Sequence, residues 1–181
     1  MGTRVDRIVL IGLRRSGKST VGRLVSDAIG WTLIDTDELV HRITGTSPAD
    51  WIRERGLDAF RAAERGAVAT LGGARNAVIA TGGGVPLLEE NRQILRTGAL
   101  IAYLRVDPWI LAGRTLTDPA AALRPQLAAG SPSEENYVLF AERDALYRGF
   151  CDLIVDGARA PNEVAARVLD ASKIEKKSLR S

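Results

Sequence analysis

The feature that most constrains this chain is a loop near its start, Gly12-Leu13-Arg14-Arg15-Ser16-Gly17-Lys18-Ser19-Thr20. It matches the pattern G-x-x-x-x-G-K-[ST] and lies between a short apolar segment, 7–11, and a segment with helical spacing of apolar residues, 18–29. Glycines let the backbone curl so that successive N–H groups point at phosphate oxygens, and the following helix adds a favourable dipole. A chance match in a glycine-containing turn is the alternative, and the flanking segments argue against it.

The side chains of this loop predict which molecule donates the phosphoryl group in a transfer reaction. Lys18 supplies a positive charge for the β- and γ-phosphates, and Ser19 supplies an oxygen for Mg²⁺. The sequence therefore predicts a phosphotransferase that uses ATP and Mg²⁺. The predicted nucleotide contacts in the loop are Gly12, Arg14, Arg15, Ser16, Gly17, Lys18, Ser19 and Thr20.

Short apolar segments alternate with segments of helical periodicity along the chain. Strands are predicted at residues 7–11, 31–35, 77–80, 99–104 and 153–155, and helices at 18–29, 38–42, 49–55, 57–71, 86–96, 108–114, 134–147 and 161–171. This alternation predicts an α/β fold with a parallel sheet covered on both faces, in which ligands bind beyond the carboxyl ends of the strands. Residues 115–133, rich in Ala, Pro, Gly and Ser, are predicted to form a mobile lid within a single domain, 1–171.

Length and composition suit one globular domain. The chain has 181 residues, of which 45 % are hydrophobic and 26 % are charged, so a packed core is expected. Its apolar stretches are too short to span a bilayer, and its start has no apolar signal region. Cys151 is the single cysteine, so no disulfide can form within the chain. A cytoplasmic monomer without a membrane partner is expected.

The positive charge is concentrated at the C-terminus. Residues 172–181 have a net charge of +3, which equals the whole excess of 25 basic over 22 acidic residues. The body of the chain is therefore close to neutral, and no nucleic-acid partner is predicted. A basic, disordered tail is expected from Lys173, Lys176, Lys177 and Arg180 against Glu175.

Two motifs that follow predicted strands are candidates for a second, acceptor site. Asp35-Thr36-Asp37 can hold Mg²⁺ through water, or orient and deprotonate a substrate hydroxyl; capping of the next helix is an equal alternative. Gly82-Gly83-Gly84 makes sense where the main chain closely approaches a ligand, with a plain flexible turn as the alternative.

Arginines provide the remaining candidates. Phe60-Arg61-x-x-Glu64 puts Arg61 and Glu64 on one helix face, where a surface ion pair is the alternative. Arg124, in the predicted lid, can neutralise charge during phosphoryl transfer, and Arg143 can bind a carboxylate or phosphate through its two-pronged guanidinium. Taken singly, each of these arginines is more often a solvated charge than a site residue.

In this order the motifs resemble those of shikimate kinases, over about residues 8–169. The set consists of the phosphate loop, Asp35-Thr36-Asp37, Phe60-Arg61-x-x-Glu64, Gly82-Gly83-Gly84, Arg124-Pro125 and Arg143-x-x-x-Tyr147. The resemblance implies a P-loop fold of the nucleoside monophosphate kinase-like type, three α/β/α layers with a five-stranded parallel sheet and a mobile lid. It also implies transfer of the ATP γ-phosphate to the 3-hydroxyl of shikimate, in aromatic amino acid biosynthesis.

The resemblance further implies a role for each matching residue. Asp37 would contact the reacting diol and act as base, and Arg61 and Arg143 would bind the shikimate carboxylate. Arg124 would close over the phosphates as a catalytic residue beside Lys18, and Asp35 would hold the magnesium shell. The other implied contacts are Phe60, Gly82, Gly83 and Gly84 for the substrate, and Arg114, Arg159 and Pro161 for adenine.

Two features depart from the family pattern. Arg15 stands where shikimate kinases usually carry glycine, and it is expected either to crowd the turn or to add a phosphate contact. The stretch 114–124 is slightly longer than usual. These departures keep one alternative open, a catalytically weak shikimate kinase-like module for ligand sensing. A second alternative is another small-molecule kinase of the same fold, acting on gluconate or a nucleotide.

Overall fold

The structure is a computed structural model that describes residues 5–117 and 131–174. At its centre is a parallel sheet of five strands in the order β2-β3-β1-β4-β5. The strands are β1 Arg7–Ile11, β2 Thr32–Asp35, β3 Ala77–Ala80, β4 Ala99–Arg105 and β5 Leu153–Asp156. The predicted α/β fold with a five-stranded parallel sheet is confirmed.

Seven α-helices lie between and after the strands in the described ranges. They are α1 Lys18–Ile29, α2 Thr36–Thr44, α3 Pro48–Ala69, α4 Glu89–Arg96, α5 Pro108–Leu116, α6 Pro132–Phe150 and α7 Pro161–Ser172. Proline at the first turn and serine caps explain several of the starts. The Ser47 hydroxyl accepts a hydrogen bond from Asp50 N at 3.1 Å, and Ser131 and Glu134 form a capping box at the start of α6.

The hydrophobic core lies on both faces of the sheet. Every residue of β1 is fully buried, and its side chains alternate between the two faces. Val9 and Ile11 belong to the cluster that includes residues of α3, α4, α5 and α6, whereas Ile8 and Leu10 belong to the cluster with α1 and α7. Three layers result, and the carboxyl end of β1 leads directly into the phosphate loop.

One predicted helix, 86–96, is divided in the structure. Val85–Leu87 form a 3-10 turn, Leu88 is extended, and α4 begins only afterwards. The side chains of Asn91 and Arg92 donate hydrogen bonds of 2.9 and 2.6 Å to carbonyls of this turn. Because side chains satisfy these carbonyls, the turn does not need the N–H donors of a continuous helix.

The break predicted at Gly56 is confirmed, since this residue has φ 84° and ψ 168° inside α3. The helix predicted over 57–71 ends at Ala69 and continues as a 3-10 turn over Thr70–Gly73. Most of the predicted lid, 115–133, with Arg124, and most of the predicted tail, 172–181, lie outside the described residues. Among the helices of the described ranges, none has the length and apolar character that crossing a bilayer requires.

Candidate active site

The phosphate loop curls around the ammonium group of Lys18. Its Nζ donates hydrogen bonds to Gly12 O at 3.0 Å, Leu13 O at 2.7 Å and Ser16 Oγ at 3.3 Å. Gly12 and Gly17 have φ of 148° and 92°, conformations that L side chains rarely adopt. The sequence between β1 and α1 therefore folds into the curled loop that its pattern predicts.

Arg15 fits this loop in a left-handed conformation, with φ 61°. Such a conformation costs a non-glycine residue about 1–2 kcal/mol, which explains why glycine is favoured at the position. Arg114, from α5, donates from Nη1 to Arg15 O at 2.9 Å and from Nη2 to Gly157 O at 3.1 Å. The guanidinium thereby joins the loop to the connection between β5 and α7, and the backbone keeps its turn despite the larger side chain.

Ser19 and Asp35 bring two oxygens together at the start of α1. Ser19 Oγ donates to Asp35 Oδ2 at 2.6 Å, while Asp35 Oδ1 accepts from Asp37 N at 2.9 Å. Asp35 therefore caps α2, which was one of the two predicted alternatives for this motif. The same carboxylate is bonded to Ser19 of the phosphate loop, and its role toward Mg²⁺ stays a prediction. Oxygen ligands of this kind fit Mg²⁺, which is usually held by one or two carboxylates and by substrate phosphates.

A cleft of about 380 Å³ joins the loop to the acceptor motifs. It is lined by the phosphate loop together with Asp35, Asp37, Glu38, Thr81, Gly82 and Gly83. Asp37 is exposed and lines this cleft, whereas the neighbouring Thr36 is buried and accepts a hydrogen bond from Gly82 N at 2.7 Å. No group of three or more His, Cys, Asp or Glu side chains suited to a metal occurs within residues 5–117 and 131–174.

Arg61 and Glu64 form an ion pair that is not a surface pair. Arg61 Nη1 lies 2.7 Å from Glu64 Oε2, and the Glu64 side chain is only 2 % exposed. Burial raises the pKa of Glu64, and the positive charge of Arg61 partly opposes that shift. Glu64 lies at the candidate site, beside Arg61, although no role was predicted for it from the sequence. The spacing in Phe60-Arg61-x-x-Glu64 was the signal that could have indicated this.

Of the three glycines after β3, Gly82 and Gly84 lie where a Cβ atom would crowd neighbouring side chains. A Cβ atom on Gly82 would stand 2.7 Å from Asp37 Oδ1 and 3.1 Å from Glu64 Oε1, and one on Gly84 would overlap the guanidinium of Arg61. A flexible turn would not explain these contacts. The glycine segment thus allows the acidic and basic candidate residues to approach one stretch of main chain.

Arg143 and Phe60 complete the acceptor side. Arg143 is 6 % exposed and donates from Nη1 to Gly83 O at 3.2 Å. Phe60 is buried in a third cluster between α2 and α3, and the guanidinium of Arg61 lies 5.6 Å from its ring centre. In this arrangement Phe60 supports Arg61, and direct contact of Phe60 with a substrate stays a prediction.

The predicted adenine contacts lie around the start of α7. Pro161 begins that helix, and Arg114 reaches Gly157 just before it. Arg159 is exposed and pairs with Asp156 at 3.6 Å and Glu163 at 3.5 Å. The structure therefore brings Arg114 next to the loop that precedes Pro161, while the guanidinium of Arg159 contacts carboxylates.

Comparison with known proteins decides the family. The sequence profile described as "Shikimate kinase" matches residues 14–173. The chain belongs to the shikimate kinase family. It is 41 % identical over 165 residues to a shikimate kinase of Oleidesulfovibrio alaskensis, covering 91 % of this chain and 96 % of that one. The predicted class, an ATP-dependent phosphotransferase, is confirmed by this membership.

Solved structures of the family have the same fold. A shikimate kinase from Acinetobacter baumannii in complex with shikimate superposes with a TM-score of 0.85, at 27 % identity and 93 % coverage of each chain. A gluconokinase from Sinorhizobium meliloti superposes less closely, with a TM-score of 0.65, 21 % identity and coverage of 94 % of this chain and 93 % of that one. At that identity the gluconokinase shows the shared fold alone.

Proposed function

We propose that this shikimate kinase family member transfers the γ-phosphate of ATP to the 3-hydroxyl of shikimate. The observation that carries the proposal is the meeting of Asp37, Arg61, Glu64 and Arg143 at Gly82–Gly84, beside the phosphate loop. Two arginines suit a carboxylate, and an exposed carboxylate beside a polar backbone suits hydroxyl groups. Shikimate is a small carboxylate that bears hydroxyls.

Asp37 is the proposed base for the acceptor hydroxyl. It lies in the same cleft as Lys18, so a hydroxyl held at Asp37 faces the phosphate loop. Phosphoryl transfer needs alignment and charge neutralisation more than covalent help. Lys18 supplies positive charge on the donor side, and Arg124, outside the described residues, is proposed to close over the phosphates.

Ser19 and Asp35 are the residues that would hold Mg²⁺. Bound there with the nucleotide, the ion neutralises phosphate charge. Arg114, Arg159 and Pro161 are proposed to flank the adenine, with Arg114 closest to the loop through its bond to Arg15 O. We also propose a single cytoplasmic domain, 1–171, with its lid at 115–133 and a basic tail at 172–181.

The direct test is ADP release from Mg-ATP, with and without shikimate. We expect rapid ADP release only when shikimate is present. Gluconate and a panel of nucleoside monophosphates serve as alternative acceptors. Turnover of one of those without turnover of shikimate would favour another kinase of the same fold, and binding of ATP and shikimate without ADP release would favour a ligand-sensing module.

Replacing Arg61 by alanine is expected to lower kcat/KM for shikimate by about ten- to a hundredfold, because a charged hydrogen bond to the carboxylate is lost. The KM for ATP should change little, since Arg61 does not line the nucleotide side of the cleft. Steady-state kinetics with each substrate varied in turn measures both. Arg65→Ala, at an exposed position of the same helix, is the matched control. Unchanged shikimate kinetics in Arg61→Ala would refute the carboxylate contact.

Replacing Gly84 by alanine is expected to raise the KM for shikimate by about tenfold or more, because the methyl group would displace the guanidinium of Arg61. Gly66→Ala is the control, since an added methyl there meets nothing within 4 Å and α3 is a helix in which alanine is favoured. Thermal unfolding shows whether both variants stay folded. A normal KM in folded Gly84→Ala would mean that Arg61 need not occupy its present position.

A further inference from the structure

Gly83 lies at the boundary between the phosphate loop and the acceptor residues. A Cβ atom built on it would stand 3.5 Å from Gly12 O, 3.6 Å from Arg14 N and 3.6 Å from Arg143 Nη1. This residue therefore lies next to both the loop proposed for ATP and the arginine proposed for the shikimate carboxylate. Its carbonyl oxygen is bound on the arginine side, so whatever holds that oxygen acts on the acceptor residues.

Two donors from α6 hold the Gly83 carbonyl. Arg143 Nη1, at 3.2 Å, and the hydroxyl of Tyr147 donate to the same oxygen. The two residues are four apart and so share one face of the helix. Tyr147 is fully buried and Arg143 is 6 % exposed, so both donors are shielded from bulk water, although Gly83 itself lines the cleft.

Packing fixes the position of the Tyr147 hydroxyl. Its ring meets that of Tyr103 edge to face, with centroids 5.1 Å apart. The ring of Tyr103 makes this contact, whereas its hydroxyl points elsewhere and donates to Asp144 Oδ1 at 2.9 Å. Burial also raises the pKa of Tyr147, so its hydroxyl remains a donor around neutral pH. The packing of the ring therefore holds the Tyr147 hydroxyl within hydrogen-bonding distance of Gly83 O.

The Gly83 carbonyl helps to orient Arg143, together with the Tyr147 hydroxyl and the negative charge of Glu64. The Nε of Arg143 is buried and has no hydrogen-bond partner within the residues that the structure describes. Its Nη1 is bound to Gly83 O, the same oxygen that Tyr147 holds. Movement of the Gly83 carbonyl would therefore move the guanidinium.

We propose that Tyr147 is a positioning residue of the acceptor site: its hydroxyl anchors the Gly83 carbonyl and, through that shared oxygen, orients the guanidinium of Arg143 toward a carboxylate ligand. The inference rests on the proposed function, because it takes the shikimate carboxylate as the ligand of Arg143. It adds to that function a residue that would not touch the substrate itself.

Tyr147→Phe tests the inference, because it removes one oxygen and keeps the ring. We expect the KM for shikimate to rise about three- to tenfold, while the KM for ATP stays within about twofold. Tyr103→Phe is the matched control: it removes the other hydroxyl of the same ring pair, which binds Asp144 and not Gly83. The control should leave both KM values unchanged, and thermal unfolding of both variants checks that they are folded.

A double-mutant cycle with Arg143→Ala separates positioning from a general structural role. If the hydroxyl acts through Arg143, Tyr147→Phe should raise the KM for shikimate much less in the Arg143→Ala background than in the wild type. Equal increases in the two backgrounds would overturn the inference, as would an unchanged KM in Tyr147→Phe or equal changes in Tyr103→Phe. Absence of shikimate turnover by the wild-type chain would instead overturn the proposed function.

Discussion

Replacing Lys18 by methionine is expected to lower kcat for phosphoryl transfer by about 10²–10³-fold, the usual cost of removing one group that stabilises transition-state charge. The Lys18 ammonium lies at the centre of the curled loop, bound to Gly12 O, Leu13 O and Ser16 Oγ. Methionine keeps an unbranched side chain but removes the charge. The rate of ADP release at saturating ATP and shikimate measures the effect.

Lys173→Met is the matched control for that substitution, because Lys173 is exposed at the end of α7. It should leave kcat unchanged. Thermal unfolding of Lys18→Met is needed as well, since the three bonds of the ammonium also support the loop. A folded Lys18→Met protein that keeps kcat within about threefold of the wild type would contradict the assignment of Lys18 to transition-state stabilisation.

Replacing Arg7 by methionine is expected to lower the free energy of unfolding by about 3–5 kcal/mol. Arg7 is fully buried at the start of β1, where its guanidinium donates to Leu71 O at 3.0 Å, to Ile94 O at 3.2 Å and to Thr97 O. Methionine would leave these carbonyls without their charged donor. For a chain of this size the melting temperature should fall by roughly 6–20 °C.

Arg75→Met is the control for this second substitution. Arg75 is 54 % exposed and pairs with Asp6 at 2.8 Å, so its loss should cost about 1 kcal/mol or less. Denaturant unfolding of both variants measures the difference. A loss in Arg7→Met no larger than that in Arg75→Met would show that the carbonyls find other partners, and the arginine would then not be central to the fold.

Much of the fold was predictable because its signals are local. The apolar strands, the glycine at position 56 and the loop before α1 each act within a few residues, and all were predicted correctly. The divided helix at 86–96 was not, because hydrogen bonds from the side chains of Asn91 and Arg92 decide where α4 begins. Periodicity of apolar residues contains no information about such bonds.

The sequence indicated which residues to consider for the candidate site, but it did not indicate the contacts among them. Asp35 had two equal interpretations: the structure confirms that its carboxylate caps α2, and its role toward Mg²⁺ stays a prediction, although the same carboxylate accepts a hydrogen bond from Ser19. Arg61 and Glu64 were recognisable as neighbours on a helix, but a spacing of three residues does not distinguish an exposed pair from a buried one. Only the packing of α3 against the glycine segment buries Glu64.

The amino-acid sequence by itself determined the phosphate loop, the alternation of strands and helices, and the order of the motifs that carry the family resemblance. These are properties of neighbouring residues, governed by backbone freedom, periodicity and spacing. The tertiary structure alone decided that Arg15 takes a left-handed conformation under Arg114, and that Tyr147 and Arg143 share Gly83 O. Those contacts join residues 60 or more positions apart, so they exist only once the sheet has brought the strand ends and α6 together.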